Sequence, residues 1–125
     1  MIYKIGMLCK HFKGNNLLEK NIYRIIKIGV NGSDLTENVK YTGDGDFFSA
    51  RNLVVYENIF QEEALFAREY EDISSELSNE KMIQYGQKLK VQPLTNEEIE
   101  SISSKEFVNL KKKVVADKFK EMKKK

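Results

Sequence analysis

Residues 21–30 read Asn-Ile-Tyr-Arg-Ile-Ile-Lys-Ile-Gly-Val, and this stretch decides the fold class. It is rich in β-branched and aromatic side chains, which favour strands over helices, and it is short for a helix. Asn31-Gly32 follows it directly. Both residues accept positive φ angles, so the pair is a strong signal for a tight turn. The sequence therefore predicts a strand that ends in a turn.

Further strands are predicted on both sides of this segment. A short strand is expected at 5–8, another at 39–42, and a hairpin at 53–60 and 64–70 around Gln61-Glu62-Glu63. Residues 43–46, Gly-Asp-Gly-Asp, resemble a calcium loop only superficially. They lack the regular acidic spacing and the closing Glu, so we interpret them as a turn.

The hydrophobic period changes after Ser78. Met82, Ile83 and Tyr85 fit a short helix that Gly86 ends, and Pro93 prevents a long continuation. Thr95 and Glu98 have the spacing of a capping box, which predicts a helix from 96 almost to the end of the chain. The expected class is α+β, with a small antiparallel β-sheet or SH3-like barrel followed by two C-terminal helices. We expect a single domain over 1–125, with a β core at 1–75 and a helical part at 78–125.

Charge is distributed unevenly along the chain, although the net charge is only +2. Residues 105–125 contain nine lysines and three acids, a balance of +6, which leaves −4 for the rest. Segment 57–80 is strongly acidic. Opposite charges within one chain favour self-association at least as much as nucleic-acid binding. The apolar positions of the last helix exceed what a small domain can cover, so a homodimer or higher homo-oligomer is expected.

Several function classes are disfavoured by composition. No stretch approaches the ~20 apolar residues of a membrane span, so no membrane partner is expected. The chain contains one cysteine, Cys9, which favours a reducing, cytoplasmic setting. One cysteine and one histidine make a zinc site very unfavourable, and no phosphate-binding glycine motif is present. We therefore expect no metal, no cofactor and no enzymatic activity.

Cationic and aromatic side chains within predicted strands are the candidates for ligand binding. Phe12 offers a ring face, and His11 or Lys13 offers a donor for an anion; packing at the edge of a core is the alternative. Arg68 is the strongest candidate because it stands between rings in an acidic stretch, with a structural salt bridge as the alternative. For Arg24, Arg51 and Lys113, a solvent-exposed position without a ligand is the alternative interpretation. The candidate ligand-binding residues are His11, Phe12, Arg24, Arg51, Arg68 and Lys113.

Four separated blocks resemble a short bacterial domain family of unknown function. They are Lys10-His11-Phe12-Lys13-Gly14, Ile22-Tyr23-Arg24-Ile25-Ile26-Lys27-Ile28, Val54-Val55-Tyr56 and Leu65-Phe66-Ala67-Arg68. The family pattern is roughly K/R-H-F-K-G, a Y-x-V/I strand, V-V-Y and L-W-V-R, and the resemblance covers about residues 3–77. Phe66 stands at the tryptophan position, and Glu69 replaces a proline.

A β-sheet core followed by two helices also resembles the phage anti-defence sponge proteins that counter Thoeris immunity. That resemblance implies a homo-oligomer that sequesters glycocyclic ADP-ribose, a signalling nucleotide made by TIR enzymes, in the host cytoplasm. In this interpretation Phe12 and an arginine face hold the adenine, Arg24 and Arg68 neutralise the two phosphates, and a partner helix closes the pocket. The alternatives are a small nucleic-acid-binding module that uses the basic C-terminal helix, and a structural or protein-partner module without a small ligand.

Overall fold

The computed structural model describes residues 2–61 and 65–123. Six strands and four α-helices occupy this part of the chain. The strands are β1 (Leu8–His11), β2 (Ile22–Val30), β3 (Val39–Tyr41), β4 (Leu53–Asn58), β5 (Leu65–Glu69) and β6 (Val91–Pro93). The helices are α1 (Tyr70–Ile73), α2 (Asn79–Tyr85), α3 (Asn96–Ser103) and α4 (Lys105–Lys123). Two 3₁₀ turns, Gly32–Asp34 and Phe47–Ser49, lie in the connections.

All six strands form one sheet with the order β3-β5-β4-β2-β1-β6. Every neighbouring pair is antiparallel except β3 and β5, which are parallel. The sheet is open, with β3 and β6 as its edge strands. The predicted α+β class, an antiparallel sheet followed by C-terminal helices, is confirmed. The predicted antiparallel pairing of the two hairpin strands is also confirmed, with Val54 opposite Arg68 and Tyr56 opposite Phe66. Glu62 and Glu63 of the predicted turn lie outside the described residues.

The two faces of the sheet differ in chemistry. We call one the aromatic face, because Tyr23, Tyr56 and Phe66 pack there against one another. Tyr3 and Ile73 cover this face, and the Tyr3 hydroxyl donates to the carbonyl oxygens of Ile73 (2.9 Å) and Val91 (2.5 Å).

The opposite side, the aliphatic face, carries two apolar clusters. One joins Ile22 to Leu94, Ile102 and Phe107, and so holds α3 and α4 against the sheet. The other is built around four buried residues and is flanked by partly buried side chains of β2, β3 and β5 and by Leu35 and Phe47 of the connections. These four residues are Ala50, Leu53, Val55 and Ala67.

Several predicted element boundaries were wrong. The first strand is Leu8–His11 and not 5–8, because Gly6 adopts a positive φ of 86° in a turn. The long helix divides at Ser104, whose ψ of 145° is extended. The Ser104 hydroxyl accepts a hydrogen bond from Phe107 N (3.1 Å) and thereby caps α4. The capping box of Thr95 and Glu98 is confirmed.

Strand β6 was not predicted. It has only three residues and ends in Pro93, which is paired with Cys9. A proline removes one backbone donor, and an edge strand tolerates that loss because one side of it needs no partner strand. β6 brings Lys90, the residue before it, towards the site described below.

Candidate functional site

A cavity of about 640 Å³ opens at one end of the sheet. Its walls come from the end of β1, the connection to β2, the start of β2 and one residue of α4. The lining residues are His11, Lys13, Gly14, Glu19, Asn21, Tyr23 and Val114. Residues distant in sequence therefore converge here, and most of them bear hydrogen-bonding groups.

Two buried lysines hold the connection between β1 and β2 in place. The Lys20 ammonium donates to the carbonyl oxygens of Phe12 (2.8 Å), Gly14 (3.0 Å) and Tyr85 (3.3 Å). From the other side, the Lys111 ammonium donates to the carbonyl oxygens of Leu18 and Lys20, each at 2.6 Å. Both lysines are buried, at 4% exposure each. They supply donors to carbonyl oxygens that would otherwise lack partners, so the rim of the cavity has a defined shape.

Gly14 is the point in this rim where only glycine fits. Its φ is 117°, and a Cβ there would lie 2.9 Å from the Glu19 Cβ. Glu19 reaches back to the start of the connection, where its Oε2 accepts from Asn15 N (2.6 Å). The Lys-Gly pair quoted from the sequence therefore makes a tight, internally bonded turn beside His11.

His11 is partly buried on the cavity wall. Burial, followed by the positive charges of Lys13, Arg68, Lys20 and Lys90, lowers the pKa of its imidazole to about 4. The ring is therefore neutral at pH 7. Its Nδ1 accepts from Lys13 N (3.3 Å), which leaves the proton of the neutral ring on Nε2. His11 thus offers one N–H donor in a region of positive potential.

Phe12 does not present a free ring face, contrary to our expectation. It is 7% exposed and stacks on His11 at 4.7 Å between ring centroids, while Tyr85 meets it edge-on at 5.3 Å. The Lys81 ammonium lies 5.5 Å from the ring centroid. Phe12 supports His11 from behind. Tyr23, which our list of candidates did not include, is an aromatic residue that lines the cavity itself.

Arg68 lies on the aromatic face, in line with Phe66 on β5 and opposite Val54 on β4. Its guanidinium pairs with Asp72, which also pairs with Lys90 at 3.1 Å. The competing interpretation, a structural salt bridge, therefore holds for this residue. Its Nε is buried and has no hydrogen-bond partner among the described residues. Arg68 contributes to the site through its charge, which acts on both His11 and Tyr23.

Arg24 and Arg68 do not converge. Arg24 follows Tyr23, which packs on the aromatic face, so strand alternation places Arg24 on the aliphatic face. There it is exposed and pairs with Glu57, Nη1 to Oε1, at 3.2 Å. Within one chain the two side chains therefore leave opposite faces of the sheet, and the structure does not bring Arg24 and Arg68 together at one pair of phosphates.

The remaining two candidates lie elsewhere. Arg51 is exposed, donates to its neighbour Ala50 O (3.2 Å), and lines a separate cavity of about 260 Å³. Lys113 is exposed on α4. The next residue, Val114, is the contribution of α4 to the cavity beside His11. Of the six predicted residues, the structure places only His11 on the wall of this cavity, with Phe12 directly behind it.

The pocket residues that the sequence did not reveal are Gly14, Glu19, Asn21, Tyr23 and Val114, together with Lys90 nearby. Gly14 and Tyr23 belong to blocks that were quoted for the family resemblance. Lys90 and Val114 carry no comparable signal, since each reaches the site through tertiary packing alone.

No protein-family model matches the chain, and neither the curated proteins nor the solved structures compared with it gave a significant match. Within the part of the chain that the structure describes, no helix combines the length and apolar character needed to cross a membrane.

Proposed function

We propose that this protein is a non-enzymatic binder that sequesters a TIR-generated cyclic ADP-ribose nucleotide, with glycocyclic ADP-ribose as the specific ligand. One observation carries the proposal: His11 lies on the wall of the cavity, and the positive charges of Lys13, Lys20, Lys90 and Arg68 all act on it. Its volume of about 640 Å³ lies in the range of small-molecule sites. Glu19 also lines the cavity and Asp72 pairs with Arg68 and Lys90, so two carboxylates offset part of this positive charge. The four cations outnumber these two carboxylates, which favours a ligand with phosphate groups.

The proposed binding mode uses the groups on the cavity wall. Phosphate oxygens accept hydrogen bonds from His11 Nε2–H and from the Lys13 ammonium, while Lys90 and Arg68 act over a longer range. The His11 ring and the part of Tyr23 that lines the cavity flank the adenine. Asn21 supplies both a donor and an acceptor for the base or ribose. In this mode Tyr23 takes the role that the sequence had suggested for Phe12.

Capture without turnover is part of the proposal. Cys9 is fully buried, and burial raises the pKa of its thiol to about 12. The nucleophilic thiolate is therefore scarce at neutral pH. His11, with its lowered pKa, acts as a hydrogen-bond donor in this account.

Sequestration also requires tight binding. A nanomolar dissociation constant corresponds to about −12 kcal/mol, which an open surface site rarely provides. A homodimer or higher homo-oligomer, in which a second copy closes the mouth of the cavity, is accordingly the form that we propose for the sponge. Its location in the host cytoplasm, where TIR signals are made, belongs to the same proposal.

The test is capture from a mixture. The protein is incubated with the products of a TIR-enzyme reaction, separated from unbound material and heat-denatured, and the released compounds are identified by mass spectrometry. We expect intact cyclic ADP-ribose isomer from the wild type, strongly reduced recovery from Lys13→Glu, and wild-type recovery from Arg24→Gln, which alters the opposite face. Release of a cleaved nucleotide, or of none, would contradict the proposal.

A second candidate, nucleic-acid binding, is favoured by the exposed Lys105, Lys112 and Lys113 on α4. Binding through a basic helix depends steeply on salt because phosphate contacts release counterions. Affinity for a duplex that collapses between low and moderate salt, with no nucleotide captured, would favour this candidate. Capture in the cavity should change much less with salt.

A further inference from the structure

A second concavity, distinct from the one beside His11, lies between β4 and α4. It has a volume of about 500 Å³ and is lined mostly by apolar side chains. The Phe60 ring forms part of its floor, held by Phe107 at 6.4 Å between centroids and by the Lys111 ammonium at 5.4 Å. We call this surface the α4 groove; its lining residues are Ile59, Phe60, Val108, Lys111, Lys112, Val115 and Ala116.

Elsewhere on the chain, Ile83 projects into solvent. It lies on α2, is 85% exposed, and is the most exposed large hydrophobic residue described. The helix that carries it is well defined: the Ser78 hydroxyl accepts from Lys81 N (3.3 Å) at its start, and Gly86 adopts the left-handed conformation (φ 63°) at its end. Glu80, one turn before Ile83, is also exposed and shares its helix face.

We propose that Ile83 of one copy inserts into the α4 groove of a second copy. The groove offers an apolar floor with the exposed cation of Lys112 at its rim, and α2 offers an apolar side chain with the carboxylate of Glu80 beside it. Apolar character and charge are therefore complementary between two surfaces of the same chain.

Two other exposed apolar side chains fit the groove less well. Ile5 is 73% exposed, but its neighbour Lys4 has the same charge as Lys112. Phe48 is 68% exposed, and the carboxylate of nearby Asp46 is already engaged by Phe48 N and the Ser49 hydroxyl. Ile83 is the most exposed of the three, and the carboxylate of Glu80 beside it has no hydrogen bond or ion pair among the described residues.

This contact is heterologous, because it joins two different surfaces. Repetition produces a closed ring or an open chain of subunits, whereas pairing of one surface with itself produces a dimer. Val114 lines the cavity beside His11 while its neighbours Val115 and Ala116 line the groove, so the docked copy lies next to the proposed nucleotide site. The inference rests on the self-association included in the proposed function, and it does not depend on nucleotide capture.

The first experiment measures mass by light scattering after gel filtration at micromolar concentration, with circular dichroism to verify folding. We expect an assembly for the wild type and monomers for Ile83→Asp and Val115→Asp. Phe48→Asp is the matched control, since it places the same charge on another exposed apolar residue, and it should assemble like the wild type. A monomeric wild type, or an assembled Ile83→Asp, would overturn the proposal.

Mixing the two variants tests the geometry. Ile83→Asp retains an intact groove and Val115→Asp retains an intact Ile83, so the pair should form a one-to-one dimer that cannot extend. Absence of that dimer would overturn the proposal, as would an assembly of either variant alone. A charge-exchange experiment should give a consistent result. Glu80→Lys or Lys112→Glu alone weakens association, and the variant that carries both substitutions restores it.

Nucleotide recovery is measured on the same samples. Loss of assembly in Ile83→Asp with no nucleotide captured by the wild type would support this interface and refute the proposed ligand. If the wild type captures nucleotide and Ile83→Asp still assembles, the proposed ligand is supported and this interface is refuted. The two proposals can therefore fail separately.

Discussion

The two faces of the sheet have different tasks. The aliphatic face is closed by helices and connections packed on side chains such as Leu53 and Val55, with 0% and 1% exposure. The aromatic face is rich in tyrosine and is bordered by His11 and by Arg68 and Lys90, which share Asp72 as a partner. The aliphatic face stabilises the fold through burial of apolar side chains, and a charged cavity lies at one end of the aromatic face. The comparison shows that the role of a charged side chain on a strand can be assigned only when the face of the sheet on which it lies is known.

The largest effect that we expect comes from the connections that cover the aliphatic face. In Gly32→Ala the new Cβ would lie 1.8 Å from Phe47 O, a backbone atom that cannot move away cheaply. We expect a loss of unfolding free energy of about 3 kcal/mol or more. Urea denaturation measures it, with Ser33→Ala at the exposed neighbouring position as the control. A loss equal to that of the control would show that this covering layer is loosely packed.

The next largest loss of stability is expected at the hydrogen-bonded contact between α4 and the rim of the cavity. Lys111→Met removes the ammonium that donates to Leu18 O and Lys20 O, so buried carbonyl oxygens lose donors. We expect a loss of about 2 kcal/mol in unfolding free energy, because unsatisfied buried polar groups are costly. Lys113→Met, the same change at an exposed position of the helix, should cost little. Equal losses in the two variants would mean that α4 does not depend on this contact.

A smaller effect is expected within the aromatic face. Tyr3→Phe keeps the ring and removes the hydroxyl that joins Ile73 O and Val91 O. We expect a loss of about 1–2 kcal/mol, the range for a buried hydrogen-bond donor. Thermal and urea unfolding should agree on this value. No measurable loss would indicate that the aromatic face is held by ring packing alone.

The last effect is absent at neutral pH and appears only in acid, as a dependence of stability on pH. The folded pKa of His11, about 4, lies below its ordinary value of 6.5, so the unfolded chain binds more protons between these values. Unfolding free energy should therefore decrease as pH falls from 6.5 towards 4, and the contribution is fully present above 6.5. His11→Gln should flatten this part of the pH profile. An unchanged profile in the variant would show that His11 is not shielded from protonation in the folded chain.

Local features of the fold were predictable. The β-branched content of 21–30 gave strand β2, and the spacing of Thr95 and Glu98 gave the start of α3, because both signals act within a few residues. β6 was missed because three residues that include a proline carry almost no local signal. The break at Ser104 was missed because a single capping serine is easily read as part of a continuous helix.

The site was less predictable than the fold. His11 was found from the sequence, but the separation of Arg24 from Arg68 depends on which face each strand presents to its neighbours. Lys20 and Lys111 look like ordinary solvated lysines in the sequence, yet both are buried donors to backbone carbonyls. Such roles arise when distant segments meet, so composition and local spacing do not reveal them.

The most direct test of the proposed site is the titration of His11 itself. His11 is the single histidine of the chain, so its imidazole proton resonance needs no assignment by mutation. In the free protein we expect a pKa of about 4, set by burial and the surrounding cations. Saturating glycocyclic ADP-ribose should raise that pKa, because phosphate charge beside the ring stabilises the imidazolium. A pKa and chemical shift unaffected by the nucleotide would contradict the account.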